Sequence, residues 1–178
     1  MNALISLHNA IFRPLERADW LLPTLARAAF IAVLFFYYWN SATLKIDGSI
    51  FSPSAGAFGQ IFPKAAEAVL WDVSQMSFFQ RLVIFFGTVG EFVLPVLIVI
   101  GLLTRLAALG MIGFVAVQTI VDVTGHGAKL GSYFDSSLAL LDERTMWAVV
   151  LLILVFKGAG PISVDRVLGG RRDDDSEM

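Results

Sequence analysis

The chain contains no cysteine among its 178 residues. That absence removes disulfides, Cys-ligated iron–sulfur clusters and any thiol–disulfide relay made by this chain alone. Histidine is nearly missing as well, with only His8 and His126. The spans assigned below put these two on opposite sides of a membrane, which argues against a bis-histidine haem within one chain. No metal site is expected. Charged residues make up 16% of the chain, the net charge is −2 and no basic tract lies among the apolar stretches, so nucleic acid is not an expected partner. Met1 to Asn9 carries no Lys or Arg ahead of its apolar residues and no A-x-A site follows, so a cleaved signal peptide is not expected. Leu4, Leu7, Ile11 and Leu15 instead recur at helical spacing near Arg13 and Arg17. Residues 1–20 are therefore expected to form a cytoplasmic interfacial helix, with a frayed terminus as the alternative.

What the chain has in quantity is apolar surface. Hydrophobic residues are 57% of it and the mean hydropathy is +0.74. A soluble domain has about 45–50% apolar and about 25% charged residues. One domain of this length cannot hide so much apolar surface in a core, and a lipid bilayer must cover the remainder. About 20 apolar helical residues cross a hydrocarbon core of about 30 Å. Segments 24–44, 82–103 and 106–123 meet that length, and a fourth reaches it at 137–157 with Asp142, Glu143 and Arg144 in its outer half. The expected fold is an all-α, four-transmembrane-helix antiparallel bundle over residues 21–168. Leu103-Thr104-Arg105 makes helices two and three antiparallel neighbours.

The outer loop divides in two. Its first part, Asp47 through Gly59, is rich in Gly and Ser and reads as irregular. Pro63 then suits a helix start, and an interfacial amphipathic helix is expected over about 63–78, with Ala66, Val69, Leu70 and Val73 on one face and a buried re-entrant piece as the alternative. Residues 169–178 are expected to be a solvated acidic tail. With both termini inside, eight Lys and Arg residues lie on the cytoplasmic side and five outside, a bias that favours N-in, C-in. A bacterial inner membrane is the expected location.

Glu91 sits near the middle of the second span, where an ionisable group costs roughly 3 kcal/mol to insert. It must face the interior, be paired or be protonated. Pro95 leaves the Glu91 carbonyl without its helical donor, Gly87 and Gly90 allow a close backbone, and Gly110, Gly113 and Ala116 read as packing positions. Counting about 13 or 14 residues outward from Arg27, Arg105 and Lys157 lands on Asn40, Glu91, Gln118 and Arg144. A buried layer is expected, with Glu91 paired to Arg144 and with Asn40 and Gln118 hydrogen-bonding. Lys45, Asp122 and His126 would form an outer mouth. The plainer reading is that such a layer only sets helix register.

Three stretches carry a resemblance: Asn40-Ser-Ala-Thr-Leu-Lys45 after Arg27; Gly90-Glu91 leading to Gly101-Leu-Leu-Thr-Arg105; and Gly158-Ala-Gly160-Pro-Ile-Ser163-Val-Asp165. In order and spacing they resemble the DoxX family of small four-helix membrane proteins. The resemblance implies Arg27, Arg105, Gly158, Gly160, Ser163 and Asp165 as family-motif positions. It further implies a membrane subunit or anchor of a redox system, an oxidoreductase subunit without a catalytic motif of its own. Quinone is then the candidate cofactor, and a soluble redox protein or a second copy of the chain the candidate partner. A small-solute or lipid-handling carrier and a scaffold without chemistry are the competing readings.

Overall fold

In the computed structural model the described residues are 18–131 and 140–174, with positions 6, 8, 10 and 12–14 before them. The expected N-terminal helix and the start of the fourth span at Ser137 lie largely outside this set.

The first long helix, α1 (Leu21–Leu44), buries Ala26, Phe30, Leu34, Tyr38 and Ala42, one residue in every four. A regular helix of about 3.6 residues per turn would carry that stripe steadily around its axis. A π turn over Ile31–Phe35 widens the helix locally and takes up the surplus. Tyr38 and Ala42 thereby stay on the packed side.

After α1 the chain builds a small capping module. Strands β1 (Ile46–Asp47) and β2 (Ser49–Pro53) form an antiparallel hairpin turned at Gly48. Helix α2 (Ala55–Ile61) starts where the Ser54 hydroxyl accepts the Ala57 amide at 3.0 Å, and α3 (Pro63–Ala68) begins on its proline. The Gly- and Ser-rich stretch expected to be irregular is thus a hairpin and a helix. The single amphipathic helix expected over 63–78 is instead α3 followed by a 3₁₀ turn at Val73–Gln75. Leu70 and Trp71, at φ of 51° and 64°, break it. That left-handed step lays the Trp71 ring over Gly59, where a Cβ would stand 1.8 Å from it. It also turns Leu70 outward, 88% exposed, while Ala66 is buried with Ala57, Phe58, Met76 and Ile84 in the module's own core.

Helix α4 (Phe78–Ile100) opens with a reciprocal Ser77–Gln80 capping box and ends at Gly101, whose φ of 73° suits only glycine at little cost. Three residues, Gly101–Leu103, turn the chain into α5 (Thr104–Gly125). Helix α6 (Leu140–Lys157) stops at Gly158, φ 78°, and α7 (Val164–Asp174) follows. Helical backbone therefore runs to Asp174, past the point at which a disordered tail was expected to begin.

The first half of α1 packs on α6 and its second half on α4; α4 packs on α5, and α5 on α6. Their shared core includes Phe30, Leu34, Tyr38, Met111, Leu151 and Leu154. Helices α1, α4 and α5 are each long and apolar enough to cross a membrane, which marks the chain as an integral membrane protein. Two ends can be told apart: a turn end at Gly101–Leu103 and a loop end that carries the capping module.

Candidate functional site

Lys45 closes α1 at the loop end, and its side chain folds back into the protein. The ammonium donates to both oxygens of the Glu91 carboxylate, at 2.8 and 2.6 Å, and to Ser41 Oγ at 2.6 Å. Those three acceptors use all three of its protons. The Ser41 hydroxyl in turn donates to Glu91 Oε1 at 3.2 Å. Lys45 and Glu91 are each only 4% exposed.

A second pair lies between α5 and α6. The buried Arg144 guanidinium donates to the Asp122 carboxylate and, at 2.8 Å, to Thr119 Oγ1. Gln118 joins the two helices to α1: its amide donates to Tyr37 Oη at 2.7 Å and its carbonyl accepts from Tyr38 Oη at 3.3 Å.

Glu91 is buried among the helices, as expected, but the expected Glu91–Arg144 pair does not form. Helix direction explains the exchange. Side chains lean toward the N-terminus of their own helix. Lys45 and Asp122 lie late on helices that run toward the loop end, so both lean inward. Glu91 and Arg144 lie on helices that run the other way, and both lean outward. Each inward-leaning group meets an outward-leaning partner. Asn40 drops out of the layer altogether; it lies two positions from both Tyr38 and Ala42, on the exposed side of α1. Lys45 and Asp122 are therefore members of the interior pairs, not of an outer mouth. His126 is exposed, and its Nε2 lies 2.8 Å from the Gln60 carbonyl, tying the end of α5 to the capping module.

Between α4 and α5, below α2, lies a cavity of about 600 Å³. Its walls are apolar, formed by Phe79, Leu82, Val83, Phe86, Val117 and Val121, and Lys45, Glu91, Gln118 and Asp122 also line it. Gln60 and Ile61 of the capping module complete the lining. Gly113 borders it with nothing within 4 Å of where a Cβ would be, so this glycine, read as a packing position, instead leaves space. Ala116 is exposed. Gly110 does pack closely, against Leu94. Ser41, Tyr37, Tyr38 and Thr119 were not expected in the polar layer. Ser41 had a signal, since it stands one helical turn before Lys45.

The motif residues gather at the opposite end. The Arg27 guanidinium donates to the carbonyls of Ile98 and Val99 at the close of α4, and to those of Ala159 and Ile162 beyond α6. Asp165 accepts the amides of Leu103 at 2.7 Å and Thr104 at 2.9 Å, capping α5 from across the fold. Ser163 Oγ donates to the Gly160 carbonyl at 2.7 Å, and a Cβ on Gly101 would strike the Ser163 side chain. Gly158 lies against Arg105. Desolvation pushes the Asp165 carboxyl upward, but the Thr104 and Leu103 hydrogen bonds and the Arg27 charge outweigh it. The group sits below the usual carboxylate range.

The geometry defines two different devices: an apolar cavity with a buried ion pair on its wall, and a clasp of side chains on helix termini. No family model, no curated protein and no solved structure matches the chain.

Proposed function

We propose that this protein is a four-span antiparallel membrane bundle, similar to the DoxX family, that binds a quinone-class amphiphile and serves as a membrane subunit or anchor of a redox system. The observation that carries the reading is the cavity of about 600 Å³, apolar on its walls and edged by the buried Lys45–Glu91 pair. Its size falls in the range of about 300–1,000 Å³ usual for small-molecule sites, and a few polar groups among apolar walls is the usual composition. A bound quinone supplies two-electron chemistry with proton uptake. At such a site Lys45 would exchange one of its bonds to Glu91 or Ser41 for one to a ring carbonyl oxygen, and Glu91 would hold the proton destined for that oxygen. Phe79, Phe86 and Val117 would exclude water from the exchange.

The fourth span is α6. Its 18 residues extend about 27 Å, and its Arg144 enters the protein already neutralised by Asp122. The basic residues favour both termini on the cytoplasmic side, in a bacterial inner membrane. Electrons would come from a soluble redox partner.

A lipid-handling carrier is the second reading, favoured by the same walls, which suit an acyl chain as well as a ring. Small molecules extracted from protein purified out of native membranes decide between them by mass spectrometry. A quinone recovered with the wild type and lost from Gly113→Leu, which projects a side chain into the cavity, supports the proposal. Phospholipid alone, lost from the same variant, favours the carrier. No molecule retained in the wild type, with tryptophan fluorescence unmoved by quinone analogues, refutes both.

A further inference from the structure

A second cavity, of about 500 Å³, lies at the turn end. Three cations line it: Arg105 at the start of α5, Lys157 at the end of α6 and Arg166 on α7. Among the described residues, the Arg105 and Arg166 guanidinium groups take part in no hydrogen bond or ion pair. Among the described residues, Lys157 holds only an exposed contact with Asp19 at 3.3 Å, the kind of pair that contributes little in water. Asp165 is the one carboxylate on the lining, and its two oxygens are already engaged by the Leu103 and Thr104 amides. The cavity thus presents more positive charge than the described residues neutralise.

Two further features say what kind of anion would fit. Thr104 is fully buried on the lining, and its amide and hydroxyl both face Asp165, so an incoming anion is left to the three cations. Leu103 and Leu106, on the same lining, are 55% and 66% exposed. The site lies where α4 ends and α5 begins, at the termini of two helices long and apolar enough to cross a membrane, which would set it near the lipid headgroups. Guanidinium groups match phosphate oxygens in charge and fork geometry. A soluble anion has no use for leucines beside it, whereas a phospholipid brings an acyl chain to the same place.

We propose that the turn-end cavity binds the phosphate of an anionic phospholipid, held by Arg105, Arg166 and Lys157, with Leu103 and Leu106 against the first carbons of its chain. The site is separate from the loop-end cavity and does not depend on what that cavity holds.

The test is retention of short-chain phosphatidylglycerol by the full chain in a neutral detergent, followed by native mass spectrometry. Phosphatidylcholine and inorganic phosphate serve as the other two probes. Each arginine near a membrane surface is worth about 1 kcal/mol toward an anionic lipid, or roughly fivefold. Arg166→Gln, at an exposed position, is expected to weaken phosphatidylglycerol retention about fivefold, and the Arg105→Gln/Arg166→Gln pair about thirtyfold. Lys129→Gln, an exposed cation at the loop end, should change nothing. Equal retention of phosphatidylglycerol and phosphatidylcholine, or unchanged phosphatidylglycerol retention in Arg166→Gln, overturns the proposal. Displacement of the lipid by millimolar inorganic phosphate overturns the lipid assignment and leaves a soluble phosphate as the ligand.

Discussion

The two ends of this molecule use charge in opposite ways. At the turn end, Arg27 and Asp165 are satisfied by backbone groups, carbonyls in one case and amides in the other. At the loop end, Lys45, Glu91, Arg144 and Asp122 are satisfied chiefly by one another and by side-chain hydroxyls. Backbone partners at helix termini cannot leave without unwinding the chain, so the turn end is fixed. Side-chain partners beside a cavity can exchange one acceptor for another. The contrast leaves one end fixed and the other able to rearrange its polar contacts.

Four substitutions break or sharpen that contrast, the most damaging first. Lys45→Met leaves the Glu91 carboxylate buried and unpaired, and is expected to destabilise the folded protein by about 3–5 kcal/mol. The double variant Lys45→Met/Glu91→Gln should recover most of that loss. Denaturant titration in detergent measures both; equal stability of the two variants would show that the pair is not coupled. Gly59→Ala drives a methyl into the Trp71 ring and should cost about 1–3 kcal/mol, with early proteolysis confined to the capping module. Cleavage elsewhere would show that the module is not an independent unit.

Asp165→Asn weakens the cap on α5 and should cost about 1 kcal/mol at neutral pH. The sign of its pH dependence follows from the depressed carboxyl. Its contribution is complete above the unfolded value of about 3.9, and is lost as pH falls from there through the lower folded value. The acid limb of the wild-type stability curve should therefore be steeper than that of Asp165→Asn. Coincident acid limbs would remove Asp165 from the clasp. Gly113→Leu should have the smallest effect on stability, neutral or slightly favourable, because the side chain enters open space and leucine is the better helix former. Its effect should appear in ligand retention alone.

Part of this was legible in the sequence. The apolar runs located α1, α4 and α5 to within a few residues, and the burial of Glu91 followed from its depth in one of them. Its partner did not follow. Height along a helix can be counted, but side-chain lean depends on helix direction, and Lys45 was expected in an outer mouth because its Cα lies at the helix end. Asn40 was misplaced because a π turn is invisible to a count at fixed rise. The break at Leu70 and Trp71 runs against both residues' usual backbone preference and is imposed by a ring resting on Gly59. The cavity could not be read at all, since empty space between helices has no residue of its own. Gly113 marks it, but a glycine facing a neighbour and a glycine facing a void look alike in one dimension. Arg27 and Asp165 stood out only as pattern. Their shared task, holding helix ends together across 61 to 132 residues of chain, emerges when the termini of α4, α5 and α6 meet.

The three-residue turn between α4 and α5 has a mechanical consequence. Two stiff rods joined at one tip, with that tip pinned by Asp165 from outside, behave as tweezers. Their separation near the pivot hardly changes under a small rotation, while the far tips move by that angle multiplied by the length of the helix. Any widening between α4 and α5 would therefore be greatest beside Phe79 and Val121, where the capping module reaches across their far ends through Gln60 and His126.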